Sequence, residues 1–87
     1  DIRELACELL KLLRTLYPEK LQERYSFSEE ELAQETKTGF ELLEKIAKIR
    51  GCLLKGQELD TEKAARLVMD DFRSGRLGQI SIERPAE

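Results

Sequence analysis

Apolar residues recur at helical spacing along the start of the chain. The stripe consists of Ile2, Leu5, Ala6, Leu9, Leu13 and Leu16, and Leu10 and Leu12 widen it. Apolar positions three and four apart are typical of an amphipathic helix. Asp1 is a suitable N-cap for it. Pro18 ends this helix or opens the next one, because proline suits the first helical turn. A short second helix is therefore predicted over Pro18–Tyr25.

Two capping-box patterns predict two further helices. Ser28-Glu-Glu-Glu31 is followed by a segment that we expect to be helical through about Gln34. Thr38-Gly-Phe-Glu41 opens the main third helix, from about Gly39 to Arg50. Its inward-facing residues would be Phe40, Leu43, Ile46 and Ala47.

This main helix has two candidate end points, Gly51 and Gly56, since glycine favours a left-handed cap at either position. The apolar spacing continues to Leu53, so we expect the helix to end at Gly56.

Asp60 is a good N-cap for a last helix, from about Thr61 to Ser74, with Gly75 as its stop. Its apolar face is narrow and comprises Ala64, Ala65, Val68, Met69 and Phe72. The segment from Leu77 to Ile82 alternates apolar and polar residues, which predicts an extended segment over the helices with Ile80 and Ile82 turned down. We expect residues 83–87 to form a frayed tail.

The 87 residues predict one all-α domain of four to five helices with an extended C-terminal tail. No apolar run has membrane length, and no signal peptide is visible, so we expect a cytoplasmic protein without a membrane partner. The two cysteines, Cys7 and Cys52, match no metal-ligand spacing. Free thiols in a reducing cytoplasm are the favoured interpretation, and a disulfide is the lesser alternative.

The composition argues against catalysis by this chain. It contains no His, Asn or Trp, which excludes histidine proton shuttles, histidine triads and zinc sites of Cys and His. Gly51-Cys-Leu-Leu-Lys-Gly56 has the two glycines of a phosphate loop, but Gln57 and Glu58 replace its Lys and its Ser or Thr. We therefore expect binding without a cofactor or metal rather than an enzyme.

The net charge of −3 hides an asymmetry. Residues 1–44 carry 6 basic and 11 acidic side chains, a net of −5, whereas residues 45–87 carry 9 and 7, a net of +2. The windows 45–55 and 72–82 contain no acidic residue. The acidic pair Asp70-Asp71 and the triplet Glu29-Glu30-Glu31 do not predict a cation site, because adjacent helix residues face different directions. We expect the pair to form solvated surface and the triplet to form a helix start.

The basic windows contain the candidate site. Its cationic residues are Lys45, Lys48, Arg50, Lys55, Arg73 and Arg76, of which we expect Lys48, Arg50, Lys55, Arg73 and Arg76 to contact phosphates. No aromatic residue interleaves them, which favours backbone or shape readout of structured RNA over base stacking. The alternative is that they are ordinary surface charges placed near helix ends.

Three groups of segments carry a resemblance over nearly the whole chain. They are Tyr17-Pro-Glu-Lys-Leu21 through Tyr25; Leu42–Ala47 followed by Arg50–Gly56; and Asp60–Ala65 with Asp71–Gly78. Together these segments resemble the C-terminal domain of the ribosome biogenesis GTPase A family, which are circularly permuted GTPases. Gln57 departs from a usual glycine of that family, and Gln79 from a usually basic position.

This resemblance implies an all-helical module, similar to RNA-binding helical domains of ANTAR type. The module would help to dock a larger GTPase on large-subunit rRNA and ribosomal proteins. The larger protein would use GTP, Mg²⁺ and K⁺ on residues outside this chain, and we expect the domain to be a monomer. The alternative function is a protein-interaction module, in which the broad apolar stripe of the first helix (Leu10, Leu12 and Leu13) docks on the GTPase domain or a ribosomal protein.

Overall fold

The computed structural model describes residues 1–34 and 38–78. In these ranges five α-helices follow one another: α1 (Ile2–Leu16), α2 (Pro18–Tyr25), α3 (Glu29–Ala33), α4 (Gly39–Ile49) and α5 (Thr61–Ser74), with a 3-10 turn at Lys55–Gln57. The all-α prediction is confirmed. None of the described helices is both long and apolar enough to cross a bilayer. The predicted extended segment beyond Gly78, with Ile80 and Ile82, lies outside the described residues.

The helix starts lie where capping residues predict them. The side chains of four N-caps accept hydrogen bonds from first-turn amides: Asp1 from Arg3, Ser28 from Glu31, Thr38 from Glu41 and Asp60 from Lys63. Ser28 and Thr38 each form a complete capping box, with the Glu side chain accepting from the N-cap amide. These bonds satisfy donors that have no partner within the helix, so they define where each helix begins.

The core lies between α1, α4 and α5, and α2 and α3 close one side of it. Its fully buried members include Leu10, Leu13, Leu42, Leu43, Ile46, Ala64, Ala65 and Val68. Small residues at α5 let helices approach closely. Gly39 does the same at the start of α4, where a Cβ atom would overlap the backbone carbonyl oxygen of Cys7 on α1.

The prediction that α4 continues to Gly56 is wrong. The helix ends at Ile49, because Gly51 takes a left-handed conformation (φ 66°) and the Cys52 amide donates back to the carbonyl oxygen of Ala47 at 2.8 Å. This turn buries the Cys52 side chain in the core. The chain then forms a short loop in which Leu53 pairs with Leu59 by an antiparallel bridge.

The predicted inward position of Phe40 is wrong, because this residue keeps 45% of its surface accessible. On α1, Leu5, Leu12 and Leu16 are exposed, whereas Leu10 and Leu13, predicted with Leu12 to dock on a partner, are fully buried. α1 packs against α4, α5 and α2, and these contacts leave part of its wide apolar stripe exposed. The inward positions of Leu43, Ile46 and Ala47 on α4 are confirmed.

The close approach of α1 and α4 predicts that Gly39→Ala destabilises the fold. The added methyl group would force the helices apart, and such overpacking costs about 1–3 kcal/mol, although alanine is the better helix former. Urea unfolding monitored by circular dichroism measures the change. Lys63→Ala, at an exposed position in the first turn of α5, is the control and should leave stability nearly unchanged. Equal stability of both variants would contradict the packing argument.

Candidate nucleic-acid interface

A buried carboxylate lies at the centre of the most polar part of the structure. Asp71 is only 2% exposed, although it stands in a helix beside the exposed Asp70. Its oxygens accept hydrogen bonds from Arg24 Nε at 3.2 Å and Nη2 at 3.1 Å, and from the Tyr25 hydroxyl at 2.7 Å. The prediction that Asp71 is solvated surface is therefore wrong, because the end of α2 covers it.

The turn after α5 brings a second arginine to the same carboxylate. Gly75 is left-handed (φ 81°), and the amides of Arg76 and Leu77 donate back to the carbonyl oxygen of Asp71. This geometry is a common helix C-terminus with glycine at the first residue beyond the helix. It places Arg76 Nη1 at 3.5 Å from Asp71 Oδ1 and buries the Leu77 side chain.

The end of α4 adds a third arginine. Arg50 donates from Nη2 to the backbone carbonyl oxygen of Arg24 at 2.7 Å. Its guanidinium carbon also lies 5.5 Å from the centre of the Tyr25 ring, within the range of a cation–π contact. The ends of α2, α4 and α5 thus meet. We call Arg24, Arg50 and Arg76, gathered about Tyr25 and Asp71, the arginine cluster.

The protonation states within the cluster follow from burial and from these contacts. Burial raises the pKa of Asp71, but the hydrogen bonds from Arg24 and Tyr25, and the neighbouring positive charges, outweigh it and hold the pKa below its usual range. Burial and the bond to Asp71 raise the pKa of Tyr25. At neutral pH Tyr25 is therefore a neutral donor to an ionised carboxylate. Two guanidinium groups bind this single anion and a third, that of Arg50, lies on the Tyr25 ring, which leaves the cluster positively charged.

A cleft beside the cluster adds a further cation. Lys20, Glu23 and Arg24 of α2 line it together with the turn Gly75–Gly78. Gly78 is left-handed (φ 91°), and a Cβ atom there would come within 2.8 Å of Lys20 Nζ, so the absence of a side chain makes room for the ammonium group.

The structure brings together two of the five sequence-predicted phosphate contacts and leaves the other three apart. Arg50 and Arg76 belong to the arginine cluster. Arg73 instead lines a groove with Asp1 and Glu4 of α1. Lys48 and Lys55 are exposed, and within the described ranges neither side chain takes part in a hydrogen bond or ion pair. Phosphate contact stays a prediction for all five residues.

Lys45 is the remaining cation of the basic windows, and it contacts residues at the edge of the core. It forms an ion pair with Glu31 of α3 and lies 5.0 Å from the centre of the Phe27 ring. The hydrogen bond from Lys45 lowers the pKa of Glu31, and so does the backbone bond from Ser28. This lysine therefore ties α3 to α4.

Sequence reasoning missed Arg24 and Lys20, because both lie in the acidic first half of the chain. A count of charges within windows cannot detect a cation that joins others through a contact with Asp71, 47 residues away. The signal was present in the resemblance, since Glu23-Arg-Tyr25 is one of its segments. Among the described residues, no group of three or more carboxylate or cysteine side chains could hold a metal ion.

The burial of Asp71 predicts that Asp71→Asn is destabilising. The uncharged Asn amide cannot accept the hydrogen bonds from both Arg24 and Tyr25 that the carboxylate accepts. Losing such bonds lowers the free energy of unfolding by about 1–3 kcal/mol. Asp70→Asn, one residue away and exposed, is the matched control and should change stability little. Chemical unfolding at neutral pH compares the two. A smaller loss at position 71 than at position 70 would refute the assigned role.

The lowered pKa of Asp71 also predicts a pH dependence. An unfolded Asp takes up its proton near pH 3.9, whereas the folded carboxylate stays ionised to lower pH. Its contribution is therefore complete above about pH 4 and is lost as the pH falls below that value. The difference in unfolding free energy between wild type and Asp71→Asn should therefore be smaller at pH 2 than at pH 6. These two values lie about two units either side of the pKa of an unfolded Asp. The protonation of Glu31 contributes equally to the stability of both proteins, so it does not affect this difference. A constant difference would contradict this prediction.

Comparison with known proteins yields one consistent group of relatives. Over its whole length the chain is 35% identical to ribosome biogenesis GTPase A of Bacillus cereus, 33% to that of Bacillus licheniformis and 32% to that of Priestia megaterium. The chain spans 28%, 29% and 28% of the lengths of these proteins. No protein-family model matches the chain. The matches confirm the resemblance, and their extent is consistent with one domain of a larger protein.

Proposed function

Because the chain is a relative of ribosome biogenesis GTPase A over its whole length, we propose that it is the RNA-binding domain of a GTPase of that kind and that it acts in assembly of the large ribosomal subunit. The whole-length match is the observation that carries this proposal. In the proposed larger protein, GTP, Mg²⁺ and K⁺ are used by residues outside this chain. The domain itself binds rRNA in the cytoplasm.

The arginine cluster is the proposed contact surface. Arg50 and Arg76 are exposed, and both lie beside Arg24, so their charges act on one region of RNA. Guanidinium groups suit phosphate because they donate pairs of parallel hydrogen bonds. A local positive surface on an acidic protein directs a polyanion to one face and repels it from the others. This supports a confined interface rather than nonspecific adhesion.

The proposal predicts a salt-dependent affinity that depends on the cluster. Removing one phosphate contact reduces the slope of log K against log salt by about 0.7–0.9. We expect the double variant Arg50→Gln/Arg76→Gln to bind fragments of large-subunit rRNA more weakly and with a shallower slope. Filter binding at several salt concentrations measures both.

Arg73→Gln is the matched control for this experiment. It removes the same kind of charge from a groove lined by acids of α1, and per charge removed it should change affinity and slope less than the double variant does. Unchanged affinity and slope in the double variant would refute the cluster as the RNA interface.

A second candidate function is docking on another protein. It is favoured by the exposed Leu5, Leu12 and Leu16 of α1, which form a groove with Met69 and Phe72 of α5. Exposed apolar surface of this kind marks protein contacts. Salt-insensitive binding to a separately produced GTPase domain, weakened by Leu12→Gln, would favour this function over RNA binding.

A further inference from the structure

We propose that Asp71 is a positioning residue, which holds Arg24 and Arg76 so that, with Lys20, they form a preorganised cleft for a phosphate group of the RNA backbone. The inference rests on the proposed RNA-binding function and goes beyond it. It assigns the ligand group to one cleft, between α2 and the turn after α5. It also gives a negatively charged residue a supporting role in binding an anion.

The hydrogen bonds of Asp71 orient Arg24. Asp71 engages Nε and Nη2 of Arg24, so Nη1 is left outside this pairing. The Tyr25 hydroxyl fixes the carboxylate from a second direction at 2.7 Å. The guanidinium plane of Arg24 is thereby held, with one third of its side chain exposed. An arginine held in this way already lies at the cleft in one rotamer, so it loses little side-chain entropy when a phosphate binds.

Two further cations complete the cleft. Arg76 contacts the same carboxylate at 3.5 Å with its side chain 55% exposed, so it is directed but still accessible. Lys20 has no ion pair among the described residues, and its ammonium group lies against Gly78, which has no side chain to displace it. Three donors of positive charge therefore converge from α2 and from the turn after α5.

Two opposite effects of Asp71 on anion binding have to be compared. Its negative charge repels a phosphate, but that charge is buried and already compensated by the paired guanidinium group of Arg24. Its ordering effect acts on two arginines, and immobilising one such side chain on binding weakens affinity by about two- to tenfold. The ordering effect is the larger, so removing the charge of Asp71 should weaken binding rather than strengthen it.

Glu23 provides the contrasting case in the same cleft. It is exposed, lines the cleft beside Arg24, and within the described ranges makes no ion pair. Neutralising Glu23 removes repulsion without disturbing an arginine. Electrostatics alone predicts tighter binding for both Glu23→Gln and Asp71→Asn, whereas the positioning role predicts opposite signs.

The experiment measures the affinity of the 87-residue chain for a fluorescein-labelled RNA hairpin by anisotropy at fixed salt. We expect Asp71→Asn to weaken binding about three- to tenfold and Glu23→Gln to tighten it about two- to fivefold. Val68→Ala, which removes buried volume from α5 away from the cleft, matches the loss of stability and should leave affinity unchanged. All proteins are measured well below their unfolding midpoints.

A charge-conserving variant keeps the inference testable if Asp71→Asn does not fold. Arg24→Lys keeps the positive charge but cannot make the two-nitrogen pairing with Asp71, so binding should weaken about threefold or more. Wild-type affinity in Arg24→Lys, or tighter binding in Asp71→Asn, would overturn the positioning role while the RNA interface stands. If the wild-type chain itself shows no binding in this assay, or no salt dependence in the filter-binding series, the proposed function fails instead.

Discussion

An ionised carboxylate out of contact with water is costly unless other groups replace its hydration. Asp71 meets this condition through the side chains of Arg24, Tyr25 and Arg76. Each partner comes from a helix end or from the turn beyond it, and Arg50 at the end of α4 packs on the same Tyr25 ring. The apolar core packs α1, α4 and α5 together, and the carboxylate determines how the end of α2 meets the end of α5.

The same arrangement connects the fold to the proposed function. A chain with a net charge of −3 gathers three arginines in one place, because the buried carboxylate binds Arg24 and Arg76 and Arg50 packs on the Tyr25 ring beside them. The residues of the cluster come from the three groups of segments that carry the resemblance to the ribosome biogenesis GTPase A family. Segments that are distant in the sequence therefore form one spatial unit. A rigid cationic surface of this kind suits a phosphate backbone, which offers regularly spaced charges.

Local chemistry made much of the fold predictable. N-caps and capping boxes at Asp1, Ser28, Thr38 and Asp60 located the helix starts, since they act over one turn. The end of α4 was not predictable from apolar spacing, because burial of Cys52 in the tertiary core decided between two glycines. The burial of Asp71 and the recruitment of Arg24 were missed for a related reason. Both depend on contacts between residues that lie 46 and 47 positions apart in the sequence. Counts of charge within a window and helical periodicity do not detect contacts at that separation.

The cluster depends on an Asp71 carboxylate that is ionised inside the fold and is held by Arg24 and Tyr25. An NMR titration of the Asp71 carboxyl carbon in the folded protein tests this state. We expect a pKa below about 3.9, the value for an unfolded Asp. We also expect the pKa to rise in the Tyr25→Phe variant, which removes one donor to the carboxylate. A wild-type pKa at or above that of an unfolded Asp would mean that burial outweighs the arginine contacts, and that Asp71 is not held as an anion.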